Sequence, residues 1–272
     1  MYITNNPKIA LIAQESGVDR IFIDMEYLGK ETRQGGMDTV KSCHTIKDIE
    51  NLRPLLNSSK LLVRVNPIHE EMGEIESSKV EIDNAIKAGA DILMLPMIKT
   101  KEEVQKFVEF VDGRAKTMLL IETAEANENI DQILQVKGID EIHIGLNDMH
   151  LAYKKHFMFE LLIDGTVERL CKKFRDKNIP YGFGGIARLG YGMLPAENVI
   201  IEHYRLGSTR AILSRSFCNA NNVSDLDELN KLFKLETERM RNFENQVKLY
   251  TEKEYQANRL LVERLVKDIV LK

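Results

Sequence analysis

Little in this chain marks it for a membrane, for nucleic acid or for an oxidising compartment. Its three cysteines, Cys43, Cys171 and Cys218, are far apart and odd in number, and they form no C-x-x-C pair. That excludes a disulfide framework and a zinc cluster, and a reducing cytoplasm fits best. No apolar run approaches the roughly 18 residues that a membrane span needs. The opening MYITNNPKIA lacks a basic n-region and an apolar h-region, so no secretory signal is expected. A net charge of −4 gives no general pull toward nucleic acid or an anionic membrane. There is no internal repeat and no low-complexity segment, and residues 225–272 contain neither glycine nor proline.

What is present supports a large core: 43% of the 272 residues are hydrophobic. That length allows one or two domains, and α/β barrels often run about 250 residues as one. Eight short apolar runs are spaced along the chain, at 2–4, 20–24, 61–65, 91–95, 117–121, 141–144, 181–184 and 209–213. Most lack polar alternation, as expected of strands covered on both faces. Helical patterns lie between them. PKIALIAQESG opens with proline and closes with glycine. TIKDIENLRPLLN offers a threonine cap with Asp48 three residues later. TKEEVQKFVEFVDG has a threonine cap, an acidic first turn, and Val104, Phe107, Val108 and Val111 on one face. Eight strands alternating with helices predict a (β/α)8 TIM barrel over residues 1–224, with a doubly wound open sheet as the alternative.

Residues 225–272 form a long helical extension. Phe233, Met240, Phe243, Val247, Tyr250, Ala257 and Leu261 keep an approximate three/four spacing, interrupted by Glu236 and Glu254. Either one or two helices pack on their own barrel, or the extension is an arm on a neighbouring subunit of a homo-oligomer.

In a barrel the chemistry sits at the C-terminal strand ends. The second run ends in Asp24, Glu26 and Tyr27, and the third carries Arg64. The fifth and sixth end at Glu122 and Asp148. Buried charges are costly unless paired or bound to metal. Carboxylates from adjacent strands suit Mg²⁺ or Mn²⁺, and capping of the following helices is the other reading. Arg64 within an apolar strand requires an anion, either Asp24 or Glu26 or a bound substrate. In GFGGIARLGYG, the backbone N–H groups of Gly184 and Gly185, with Arg188 or Arg215, offer an anion cradle, unless the stretch is only a tight turn. It is no dinucleotide fingerprint, because no acidic residue follows at the right distance.

The stretches GVDRIFIDME, LLVRVNP, AIKAGADILMLPMIKTKEEV, LLIETAEANENI and IDEIHIGLNDMHLA run in order from about residue 17 to residue 152. Together they resemble the HpcH/HpaI aldolase and citrate lyase family of the phosphoenolpyruvate/pyruvate barrel superfamily. The resemblance implies a metal-dependent C–C lyase acting on a small anionic 2-oxo or hydroxy acid, phosphorylated or CoA-linked in some cases. It implies Glu122 and Asp148 as metal ligands, with Mg²⁺ ahead of Mn²⁺, and Arg64 as the group that grips the acid and stabilises its enolate. Asp24 and Glu26 match the family's acidic positions. The aldolase branch has a histidine directly after that glutamate, and here the residue is Tyr27. His44, in the loop that follows, is the candidate replacement, with an exposed or helix-start histidine as the bland reading. Tyr27 itself needs a depressed pKa to act as a base. His143 reads as a core residue, and His150 as pointing elsewhere in its helix. A Schiff-base mechanism finds no lysine at a strand end, since Lys99 lies beyond its strand and Lys116 is at the wrong end. The alternatives are other enolate chemistry of the superfamily, mutase or hydrolase, and a catalytically reduced barrel that binds a metabolite.

Overall fold

A computed structural model describes residues 1–29, 44–214, 217–218 and 225–271. Cys43 and Arg215 therefore lie outside the described residues. Eight strands form one sheet in chain order: β1 Tyr2–Ile3, β2 Arg20–Asp24, β3 Lys60–Arg64, β4 Ile92–Leu95, β5 Lys116–Ile121, β6 Glu141–Ile144, β7 Tyr181–Ile186 and β8 Arg210–Leu213. Every described pairing is parallel. The helices between them are α1 Pro7–Glu15, α2 Ile46–Leu52, α3 Ser78–Ala88, α4 Lys101–Val111, α5 Ala124–Glu128, α6 Ile130–Ile133, α7 Leu146–Ala152, α8 Glu160–Ile163, α9 Thr166–Asp176 and α10 Ala196–Leu206. Two longer helices follow, α11 Leu226–Val247 and α12 Glu252–Val270. This is a nearly closed (β/α)8 barrel. Its seam is drawn together at residue 1: the Leu213 N–H donates to the Met1 carbonyl at 2.8 Å, and the Met1 amine donates to the Ala211 carbonyl at 3.0 Å.

Local signals set the helix starts. Thr45 with Asp48, and Thr100 with Glu103, form capping boxes at the two predicted threonine caps. Asn6 caps α1, its side chain accepting from the Lys8 and Ile9 N–H groups, with Pro7 at the first helical position. Beyond α2 the chain tightens into a 3₁₀ turn at Arg53–Leu55, because Pro54 has no N–H to continue the helix.

The two faces of the strands differ. Outward residues such as Ile21, Ile23, Leu61, Val63, Leu119 and Ile121 pack under the helices. Inward residues form layers. Phe22, Leu62, Ile92, Met94, Met118 and Leu120 fill the middle. Along β2 the inward positions read Arg20, Phe22, Asp24, so a strand that looks apolar carries a charge at each end of its inner face. At the N-terminal end, Glu141 receives both Arg20 guanidinium nitrogens, at 2.5 and 3.0 Å, and also pairs with Arg210. Gly182 makes room for this plug, since a side chain there would meet the Arg210 backbone carbonyl.

Glycines also change β7. The run predicted to end at residue 184 continues to Ile186, through a register irregularity between Gly182 and Gly185. Gly184 takes φ +53°, the left-handed region that glycine enters without strain.

Residues 225–271 form two helices, divided at Thr251 by a third capping box, with Glu254 as its acidic partner. The expected interruption at Glu254 is therefore a helix start. Helix α11 lies against α1 and α10, in the place of a helix following β8, and α12 lies against α8 and α10. Phe233, Met240 and Val247 are buried, Phe243, Tyr250 and Leu261 are half-buried, and Ala257 is exposed. No helix is long and apolar enough to cross a membrane among the described residues.

Glu141 is buried and serves two guanidinium groups, which hold its carboxyl below the usual range despite burial. Glu141→Gln should lower unfolding free energy by about 3 kcal/mol in urea titration, because two half-buried cations lose their counter-charge. The contribution should be complete above the ordinary glutamate range and should fade as the pH falls below it, since the folded-state pKa is the depressed one.

Candidate active site

The C-terminal ends of β2, β3 and β5 bring one charge cluster together. Asp24 and Arg64 are register partners at the last residues of β2 and β3. Arg64 Nε donates to Asp24 Oδ1 at 2.8 Å, and Nη2 donates to Oδ2 at 2.9 Å, a bidentate pair. Its remaining nitrogen, Nη1, lies 3.2 Å from Glu26 Oε2. Asp24 and Glu26 are each about 2% exposed, and the Arg64 guanidinium lies 5.8 Å from the centre of the Phe22 ring. Burial alone would lower the arginine pKa. The charge and hydrogen bonds of Asp24, then Glu26 and Glu122, outweigh it and hold the group cationic.

Glu122 stands just past β5. Its Oε1 accepts from the Met97 N–H at 3.0 Å, and Met97 itself has φ +53°, uncommon for a residue with a side chain. Gly145, just past β6, leaves the space that Glu122 fills: a Cβ there would lie 2.7 Å from Glu122 Cβ and 2.8 Å from its Oε2. Burial pushes the Glu122 carboxyl up to about 8. Arg64 opposes the shift, while Asp148 and Glu26 add to it. Asp148 lies in the first turn of α7 and is half-buried. Glu122 is not a helix cap, for Thr123 caps α5 with its own side chain. Asp148 follows three residues after Gly145, the N-cap residue of α7.

These two carboxylates fit a hard divalent cation. The donors are oxygen, Glu122 is buried, and Asp148 lies close enough for its charge to add to the upward shift of the Glu122 carboxyl. No group of three or more potential metal-ligating histidine, cysteine or acidic side chains occurs among the described residues.

His44 is drawn to the same strand end. Its Nδ1 accepts from the Asp24 backbone N–H at 3.0 Å, so the neutral ring carries its proton on Nε2. Tyr27 is 52% exposed, and burial, then Glu81, raises its pKa, the wrong direction for a base. Gly184 and Gly185 lie within β7, and the Gly184 carbonyl bonds to His143 Nε2 at 3.1 Å. Arg188 stacks over the Tyr191 ring at 3.8 Å, and its buried Nε has no hydrogen-bond partner. His143 is fully buried inside the barrel, and burial lowers its pKa to about 3. His150 turns back onto the Leu146 carbonyl. Lys99 pairs with Glu125 on the surface, and Lys116 begins β5 at the opposite end of the barrel.

Two residues of this region do not stand out in the sequence. Asn66 Oδ1 accepts from the Tyr27 and Leu28 N–H groups, at 3.0 Å each, while its Nδ2 donates to Glu81 Oε1 at 2.8 Å. Glu81 also accepts from the Asn66 N–H. The pair fixes the chain that follows Glu26. The one cue in the sequence is a polar residue two positions beyond Arg64, in RVNP.

The family model described as HpcH/HpaI aldolase/citrate lyase matches residues 1–157. The chain belongs to this family. Among solved structures, an HpcH/HpaI aldolase from Desulfitobacterium hafniense DCB-2 is 16% identical, with 92% of this chain and 93% of that chain covered and a TM-score of 0.60. A family protein from Burkholderia cenocepacia J2315 is 14% identical, with 89% and 93% covered and a TM-score of 0.60. Citrate synthase SbnG is 15% identical, with 89% and 92% covered and a TM-score of 0.58. At these identities the likenesses show a shared fold. No curated protein matches the chain by sequence. For this HpcH/HpaI family member, membership indicates a lyase-type enzyme.

Asn66→Ala should cost about 2 kcal/mol in urea unfolding, because it leaves the Tyr27 and Leu28 N–H groups without their acceptor and leaves Glu81 only the backbone N–H of residue 66. A loss below 0.5 kcal/mol would show that the 25–28 segment does not depend on this clamp.

Proposed function

We propose that this protein is a divalent-metal-dependent C–C lyase that makes or breaks a 2-oxo or hydroxy acid through a pyruvate- or oxaloacetate-type enolate. The observation that carries the reading is the position of Arg64, held by two carboxylates at the strand ends, within the electrostatic reach of Glu122. Glu122 and Asp148 would hold Mg²⁺, or Mn²⁺. A cation there supplies a Lewis acid for the carboxylate and carbonyl oxygens of a 2-oxo acid.

The chain's own residues do the rest. Asp24 aligns the guanidinium through two bonds, so Arg64 keeps one geometry while charge develops on the substrate oxygen. The role of His44 follows from its tautomer. With Nδ1 engaged by the Asp24 amide, the ring presents a proton-bearing Nε2, suited to donate a hydrogen bond to an oxygen that gains charge. Glu26, buried beside Arg64 at the same strand end, is the carboxylate assigned to take the hydroxyl proton. Arg188, two residues beyond β7, supplies a cation for a substrate's second anionic group, with the backbone N–H groups of Gly184 and Gly185 as the accompanying donors. The Tyr27 phenol, exposed and with a raised pKa, favours one other reading: a barrel that binds a 2-oxo acid without turning it over.

Proton exchange separates the two without knowledge of the second substrate. In D₂O with Mg²⁺, the protein should wash deuterium into the methyl group of pyruvate, followed by ¹H NMR. Arg64→Lys should slow exchange by about 100-fold, since a lysine cannot reproduce the bidentate fork. Glu122→Gln should abolish the dependence on Mg²⁺. Exchange that ignores both the metal and Glu122 would overturn the lyase reading, and pyruvate binding without exchange would establish the binding-barrel reading.

A further inference from the structure

Glu122 and Asp148 each belong to the start of a short helix. Glu122 stands directly before Thr123, the cap of α5, and Asp148 lies in the first turn of α7. The charge of Asp148 is felt at Glu122, so the two carboxylates are neighbours. Like charges at close range repel, and contact between the carboxylates does nothing to keep α5 and α7 together.

A bond at the far ends of these helices does. Five residues on from each carboxylate stands one of its partners, Asn127 after Glu122 and Tyr153 after Asp148. Asn127 Nδ2 donates to the Tyr153 hydroxyl at 2.5 Å, and Asn127 Oδ1 accepts from Nη2 of Arg169, on α9, at 2.5 Å. A guanidinium can only donate, so Arg169 fixes the amide with its oxygen toward α9 and its NH₂ toward Tyr153.

Both partners are firmly seated. Helix α5 is fastened at each end to the chain that follows β4. Thr123 Oγ1 donates to the Ile98 carbonyl at 2.5 Å, and Asn129 Nδ2 donates to the Lys99 carbonyl at 3.0 Å. Tyr153 closes α7 as its C-cap residue, with its N–H on the Met149 carbonyl at 3.1 Å and its ring packed on the core. At 1.5 Å of rise per residue, Asp148 and Tyr153 lie about 7.5 Å apart along one helix, which moves as a body. A shift at the hydroxyl is therefore a shift at the carboxylate.

We infer, on the reading of Glu122 and Asp148 as cation ligands, that Asn127 and Tyr153 are positioning residues, whose bond fixes α7 on α5 and so keeps the Asp148 carboxylate beside Glu122 for a small, strictly octahedral cation. Mg²⁺ demands near-ideal geometry at short range, whereas Ca²⁺ accepts longer and less regular coordination. Loosening α7 penalises Mg²⁺ and spares Ca²⁺. A general loss of stability has no such selectivity.

Mn²⁺ titration of the full chain, with the free ion read by EPR, and competition by Mg²⁺ and by Ca²⁺ test the tie. Tyr153→Phe removes one hydroxyl and keeps the packed ring. It should weaken Mg²⁺ about fivefold and leave Ca²⁺ within about twofold, a smaller loss than removal of a ligand's direct partner causes. Asn127→Ala should change the Mg²⁺-to-Ca²⁺ ratio equally, and combining the two substitutions should add nothing, since one bond is lost only once. Gln14→Ala is the stability control. It removes the acceptor of the residue 57–59 N–H groups, at the opposite end of the barrel, and should lower stability while leaving the ratio in place. An unchanged ratio in Tyr153→Phe, additive changes in the double variant, or an equal change in Gln14→Ala would each overturn the positioning role while native Mn²⁺ binding stands. A native chain that binds no Mn²⁺, or binds it as well after Glu122→Gln, would defeat the metal reading itself, and the positioning role with it.

Discussion

The mouth of the barrel depends on one buried guanidinium. Arg64 sits where β3 ends, in a ring of apolar strands, and a lone charge there would be prohibitive. Its compensation comes from the neighbouring strand, whose last residue is Asp24, and from Glu26 two residues on. That requirement organises much else. The chain leaving β2 must keep Glu26 turned inward, and Asn66 with Glu81 holds the following backbone for that purpose. His44 is then caught on the Asp24 amide. On the Glu122 side burial pushes the carboxyl toward its neutral form, with the charges of Asp148 and Glu26 adding to the shift and Arg64 opposing it.

Much of this was legible in the sequence, for physical reasons. The strands were readable because both faces are covered, and eight apolar runs separated by capped helices leave few architectures. The capping signals at Thr45 and Thr100 depend on residues within one turn of each other, so they transfer directly to structure. The inner face was harder. Along β2 the order Arg20, Phe22, Asp24 becomes meaningful once alternation is known to face a barrel interior, and a run that looks uniform conceals it. The plug around Glu141 joins β2, β6 and β8 across more than a hundred residues, and no local pattern announces it.

The site residues divide in the same way. Arg64, Asp24 and Glu26 meet, as an arginine in an apolar strand requires. The choice between metal ligand and helix cap at Glu122 was open in the sequence, since ETAEA contains two capping residues side by side. Thr123 takes the cap, which leaves Glu122 pointing inward. Asn66 and Glu81 escaped notice because their work is done on backbone groups, which have no sequence signature. In the tail, Glu254 looked like a fault in an apolar seam because the three/four spacing was followed through a break. The TEKE that starts α12 is a capping signal of the same kind as the two recognised earlier.

Gly145 shows what an absent side chain contributes. The Glu122 carboxylate occupies the volume that any larger residue would claim at that position. A methyl group there would have to push the carboxylate by several tenths of an ångström or be pushed itself. The coordinates of a prospective ligand atom are therefore written partly in the backbone of the next strand. Retuning the site by substitution at position 145 is closed, and drift in Glu122 is restrained from behind by a surface that has no rotamers to change.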